Sequence, residues 1–143
     1  MKFPKNNYDL TKIFKNGTIP KISEFNGEYF VDMLTIVPSL RKFSHRKVFY
    51  TETEKVFGYN LLFNNMKWGH FFLEEGICEK VGSLEVVVIN YNKPENSFIT
   101  NRIRDHVRFI ENGLYLGRFN YLFRDKLHFL GYFSLSKYPL KEK

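Results

Sequence analysis

The chain contains one cysteine, Cys78, so no internal disulfide can form and stability must come from a packed core. That usage suits a reducing compartment. His and Cys nowhere take zinc-ligand spacing, and the chain has no nucleophile elbow, phosphate-binding glycine loop, HExxH pair or dinucleotide fingerprint. No apolar run approaches the roughly 20 residues of a membrane-crossing helix. The start, Met1-Lys2-Phe3-Pro4-Lys5-Asn6-Asn7, carries no apolar secretion core. The expectation is a cytoplasmic protein with no membrane span and no metal site, and the sequence names no cofactor.

Aromatic residues are abundant: they make up 18% of 143 residues, Phe alone occurring 16 times, within a hydrophobic total of 43%. That load excludes disorder. It suits strands, where rings pack across a pleated surface, and it suits both ordinary cores and cavities enclosing apolar ligands. The length predicts one domain over 1–143. A net charge of +7 favours anionic partners, although lysines spread over termini and loops also serve solubility.

Along the chain, Leu10, Ile13 and Phe14 at helical spacing predict a short helix over Tyr8–Lys15, with Gly17 as its stop. Strands are predicted over Phe25–Val37, Ser44–Thr51, Val56–Phe63, Lys67–Glu74 and Leu84–Tyr91, and three more fill Arg102–Leu135. Thr51–Glu54, Asn64-Asn65 and Asn92–Asn96 supply the turns between them. About eight or nine strands in simple order predict a mostly β fold, a closed up-and-down antiparallel barrel with a short N-terminal helix.

The terminal unit allows a register to be written. A tight turn at Asn112-Gly113 sets Phe109 opposite Leu116, Val107 opposite Arg118 and Asp105 opposite Asn120. A second turn over Phe123–Lys126 sets Leu122 against Leu127, Asn120 against Phe129 and Arg118 against Gly131. With alternate side chains on opposite faces, Asp105, Arg118 and Asn120 join an inward apolar face, where Gly131 leaves a gap beside Arg118. Outward would lie Arg102, Arg104, His106 and Arg108, interleaved with Tyr115, Phe119, Tyr121 and Tyr132. Likewise a two-residue hairpin at Asn64-Asn65 would pair Leu61 with Trp68, Tyr59 with His70 and Phe57 with Phe72 on an inward aromatic side.

Gly27-Glu28-Tyr29, after a short helix and at the start of the first strand, resembles the Gly-x-Trp opening of lipocalins and their calycin relatives, with Tyr in place of Trp. The resemblance implies the architecture of an intracellular lipocalin-like binder, with Gly27 and Tyr29 at the motif positions.

The interior readings converge on binding of a small, largely apolar ligand with an anionic or polar head. Arg118 would pair with the head, Asp105 and Asn120 would orient it, and Trp68, His70, Tyr59 and Tyr29 would line an aromatic wall. Asp105 and Arg118 equally suit a buried ion pair within salt-bridge distance, and His70 a satisfied core imidazole or a haem ligand. The same pocket suits a small barrel enzyme of isomerase, lyase or cyclase type, with His70 or Asp105 as general base, so the enzyme question stays open. The outward basic and aromatic face suits single-stranded nucleic acid, surface decoration, or a homodimer that hides its exposed rings.

Overall fold

A computed structural model of the chain describes residues 2–36 and 45–138. Helix α1 spans Asn7–Asn16, where Asn6 caps the first turn by accepting from the Asp9 N–H at 2.9 Å. Eight strands follow: β1 Gly27–Met33, β2 Arg46–Glu52, β3 Lys55–Leu61, β4 Lys67–Cys78, β5 Leu84–Asn90, β6 Arg104–Glu111, β7 Leu114–Phe123 and β8 Lys126–Ser136. Each pairs antiparallel with the next, and β8 returns to β1 through Phe30↔Ser136 and Met33↔Phe133, closing the barrel. The predicted meander and its helix are therefore present. Part of the expected first strand and the turn after it fall outside the described residues.

Register is where the sequence reading needs correction. The tight turn expected at Asn112-Gly113 needs positive φ at both positions, and only Gly113 has it, at 76°. Glu111 still pairs with Leu114, but Ile110 bulges out of β6, so Phe109 faces Tyr115, Val107 faces Gly117 and His106 faces Arg118. A slip of one residue sends every following side chain to the other face. Tyr115 and Phe119 consequently point inward, while Leu116 and Arg118 point outward. On β7 and β8 the Arg124-Asp125 turn has positive φ at both residues and gives the expected Leu122↔Leu127 and Asn120↔Phe129 pairs. A second bulge at Leu130 then sets Arg118 against Tyr132, not Gly131. The gap expected at Gly131 is filled by backbone: at φ 137° a Cβ there would lie 2.9 Å from Ile36 Cα.

The outward face is not a bare surface, because α1 lies across it. Leu10 and Phe14, both fully buried, pack with Leu114, Leu116 and Tyr132 into a second core outside the barrel wall. Thr11 Oγ1 and the Tyr132 hydroxyl lie 2.7 Å apart. Arg108 terminates the helix: its Nε donates to the Phe14 carbonyl at 3.1 Å and Nη2 to Gly17 O at 2.5 Å, placing a cation at the negative end of the helix dipole. The expected basic and aromatic platform is thus dismantled. Arg108 and Tyr132 are buried against the helix, His106 is buried on the same strand, Tyr115, Phe119 and Tyr121 pack on the interior, Arg104 is half-buried, and Arg102 stays exposed.

Inside, one end of the barrel is solid. Phe25, on the segment leading from the helical turn Ile22–Glu24 to β1, plugs it with ring centroids 5.0 Å from Phe49 and 4.6 Å from Tyr115. Tyr29 packs edge-on against Phe49 at 5.3 Å. The polar groups gather at the other end.

Candidate functional site

At the open end, where the β3–β4, β5–β6 and β7–β8 connections meet, the barrel encloses a cavity of about 80 Å³. Its apolar wall includes Val31, Met33, Ile103, Phe119 and Phe133, and its polar groups are Lys47, Asn60, Trp68, Tyr91 and Asp105.

Lys47 on β2 comes directly opposite Asn60 on β3, and both point inward because the Thr53-Glu54 turn fixes that pairing. Its ammonium donates to Asn60 Oδ1 at 2.6 Å and to the Tyr91 hydroxyl at 2.7 Å. Asn60 Nδ2 donates to the same hydroxyl at 2.9 Å and to the Gly69 carbonyl at 3.1 Å. Gly69 adopts φ 62°, and a Cβ there would sit 2.9 Å from Asn60 Nδ2, so the bulge it forms needs glycine. Tyr91 oxygen thus accepts twice, which leaves its own hydrogen as a donor. These two bonds use two of the three Lys47 N–H groups, and Lys47 lines the cavity.

Asp105 on β6 is 2% exposed. The Asn120 backbone N–H bonds its carboxyl group, but Oδ1 has no hydrogen-bond partner among the described residues. Burial pushes this carboxyl up to about 7, with the Lys47 charge opposing the rise. Burial likewise pulls the Lys47 ammonium down to about 8, with Asp105 opposing. Burial, reinforced by Asp105, raises the Tyr91 phenol, which stays protonated. An amine, a phenol and a carboxyl group therefore surround one small apolar space, two of them titrating near neutrality.

Of the residues singled out from sequence, Asp105 and Trp68 line the cavity. Asn120 contributes its backbone N–H to Asp105. Arg118 stands on the other side of the wall: it donates to the Tyr132 hydroxyl at 2.6 Å, and its guanidinium lies 3.8 Å from the Phe129 ring centroid. The expected Asp105–Arg118 ion pair does not form, because the Ile110 bulge separates the two by face. Tyr59 and His70 are half-buried on the outer face, 6.1 Å apart between ring centroids. The bulge at Gly69 puts Trp68 inward and His70 outward, so His70 can serve neither as an interior base nor as a haem ligand in the barrel. Tyr29 is buried at the closed end, away from the cavity.

Lys47 and Tyr91 were not singled out from sequence. A lysine in an alternating strand reads as outward; the signal lay in its partner, since the turn that opposes Phe49 to Gly58 also opposes Lys47 to Asn60.

Among the described residues no helix is long and apolar enough to cross a membrane, and no group of three or more His, Cys, Asp or Glu is placed to hold a metal ion. No protein-family model matches the chain, and no curated protein matches it. A solved structure, that of a protein from Thermomonospora curvata, is similar with a TM-score of 0.61 over 94% of this chain and 88% of that one, at 10% identity. Likeness at that identity shows the fold alone: a closed antiparallel eight-stranded barrel.

Proposed function

We propose that the chain, acting as one lipocalin-like barrel, binds a small, largely apolar molecule by a polar head held between Lys47, Tyr91 and Asp105. The observation that carries this reading is the buried Asp105 Oδ1, without a hydrogen-bond partner among the described residues, beside a cavity that a cation also faces. A buried polar atom left unpaired costs about 1–3 kcal/mol, and a ligand that donates to it removes the penalty. Eight-stranded barrels have room for one small ligand. A cavity of about 80 Å³ is well above what a single water needs and leaves room for a small polar head. The head must both accept from Lys47 or Tyr91 and donate to Asp105, as a protonated acid, a primary amide or a hydroxy ketone does. Its apolar remainder would lie toward Val31, Met33 and Phe119.

The test is native mass spectrometry of protein purified without denaturation, compared with Asp105→Leu. Expected is a low-mass adduct on the wild type that the variant loses. Adducts of equal mass and occupancy on both proteins would count against this site.

A further inference from the structure

The connections at the open end of the barrel carry an unusual set of side chains. Among the described residues, Phe63 is 79% exposed, Met66 59%, Phe98 72%, Ile99 60% and Phe123 50%. Phe63 and Met66 lie on the β3–β4 connection, Phe98 and Ile99 on the β5–β6 connection, and Phe123 ends β7 at the β7–β8 turn; the meander brings all three to one end, the end with the cavity.

These tips are presented by built loops. Asn96 takes the His70 N–H at 2.9 Å and donates to the Tyr91 carbonyl at 2.6 Å, which ties the β5–β6 loop to the wall. The Tyr121 hydroxyl donates to the Ile99 carbonyl at 2.8 Å and Arg102 Nε to the Phe98 carbonyl at 3.2 Å, so both carbonyls of that exposed pair are bonded. On the β3–β4 connection the Leu62 N–H bonds the Met66 carbonyl at 2.9 Å, leaving Phe63 at the apex.

Charge is sorted along the same axis. The three connections and the strand residues that border them hold Lys67, Lys93, Arg102, Arg104, Arg124 and Lys126 against Glu95 and Asp125. At the far end the β2–β3, β4–β5 and β6–β7 connections and the strand residues that border them hold Glu52, Glu54, Glu79 and Glu111 against Lys55 and Lys80.

We propose that the open end docks on an anionic lipid bilayer, with Phe63, Phe98, Ile99 and Phe123 seated among the headgroups and the cations of the rim against lipid phosphates and carboxylates. Exposed aromatic tips with interspersed Lys and Arg match the two terms of interfacial binding, apolar burial and attraction to anionic lipid. A bare polyanion such as an oligonucleotide would engage the cations and leave the apolar tips unexplained. A second copy meeting mouth to mouth would oppose two cationic rims. The inference does not depend on which molecule occupies the cavity.

The test is cosedimentation of the full-length protein with phosphatidylcholine vesicles, with and without about one-third phosphatidylserine. Expected is binding that needs phosphatidylserine and weakens with salt. Phe63→Ser combined with Phe98→Ser should lower the partition coefficient by about tenfold or more. Both sites are exposed, so the thermal midpoint should hold. Arg124→Glu with Lys126→Glu should lower the partition coefficient by about 25-fold or more, given about fivefold per cation removed from the surface. Wild-type protein that stays in the supernatant with phosphatidylserine vesicles at low salt overturns the proposal. So does vesicle binding that the Phe pair leaves unchanged, which would mark generic polyanion binding.

Discussion

Lys47 and Asp105 face the same cavity from strands on different sides of the barrel, without a direct ion pair between them. Each charge is stabilised by the other through the space a ligand would occupy, and each is destabilised by burial. The arrangement has consequences for stability that a surface ion pair would not have.

The first is an inverted pH profile. Asp105 titrates near 7 when folded and near 3.9 when unfolded, so between those values the folded state binds the extra proton and stability falls as pH rises. Lys47 titrates near 8 when folded and about 10.4 when unfolded, so between those values the unfolded state binds it and stability rises with pH. The pair's contribution is therefore lowest at about pH 7 to 8. Denaturant unfolding from pH 5 to 9.5 should show a dip there that is absent from Lys47→Met with Asp105→Leu.

The second concerns Arg118, which is 5% exposed and sits on rings, not on an acid. It also helps push the neighbouring His106 imidazole down to about 4, after burial, which acts more strongly. Arg118→Leu should cost about 1–3 kcal/mol through loss of the Tyr132 hydrogen bond and the contact with Phe129. Ligand affinity, measured by calorimetry, should change less than about twofold, because the wall separates Arg118 from the cavity.

Gly131 gives the third. Gly131→Ala places a methyl group 2.9 Å from Ile36 Cα at a φ of 137° that L-residues avoid. A loss of about 2 kcal/mol or more in urea unfolding is expected. A neutral result would mean that the Ile36 backbone does not cross there.

The strand order could be read from sequence because alternation and turn chemistry are local. Arg124-Asp125 lies within the turn expected over Phe123–Lys126 and Thr53-Glu54 within that expected over Thr51–Glu54, and Phe57 faces Phe72 as expected. Faces could not be read so far, because the bulges at Ile110, Gly69 and Leu130 leave no local mark apart from the glycine, and each exchanges inside for outside. Asp105 was identified because it lies beyond any turn ambiguity on an apolar strand, between Ile103 and Val107. Arg118 was misplaced by the single residue Ile110. The second core under α1 was hidden for the same reason: Leu116 and Tyr132 read as lying on opposite faces until the bulges are known.

The most direct test is a carbon-13 NMR titration that reads the Asp105 carboxyl signal while small polar organic molecules are added. Protonated short-chain acids, primary amides and hydroxy ketones serve as probes. The account predicts that at least one probe class shifts the Asp105 signal saturably and moves its titration midpoint away from about 7, and that Lys47→Met abolishes or strongly weakens the effect. An Asp105 signal that no probe class moves, in a protein whose cavity residues show no other change, would contradict a ligand site between Lys47 and Asp105.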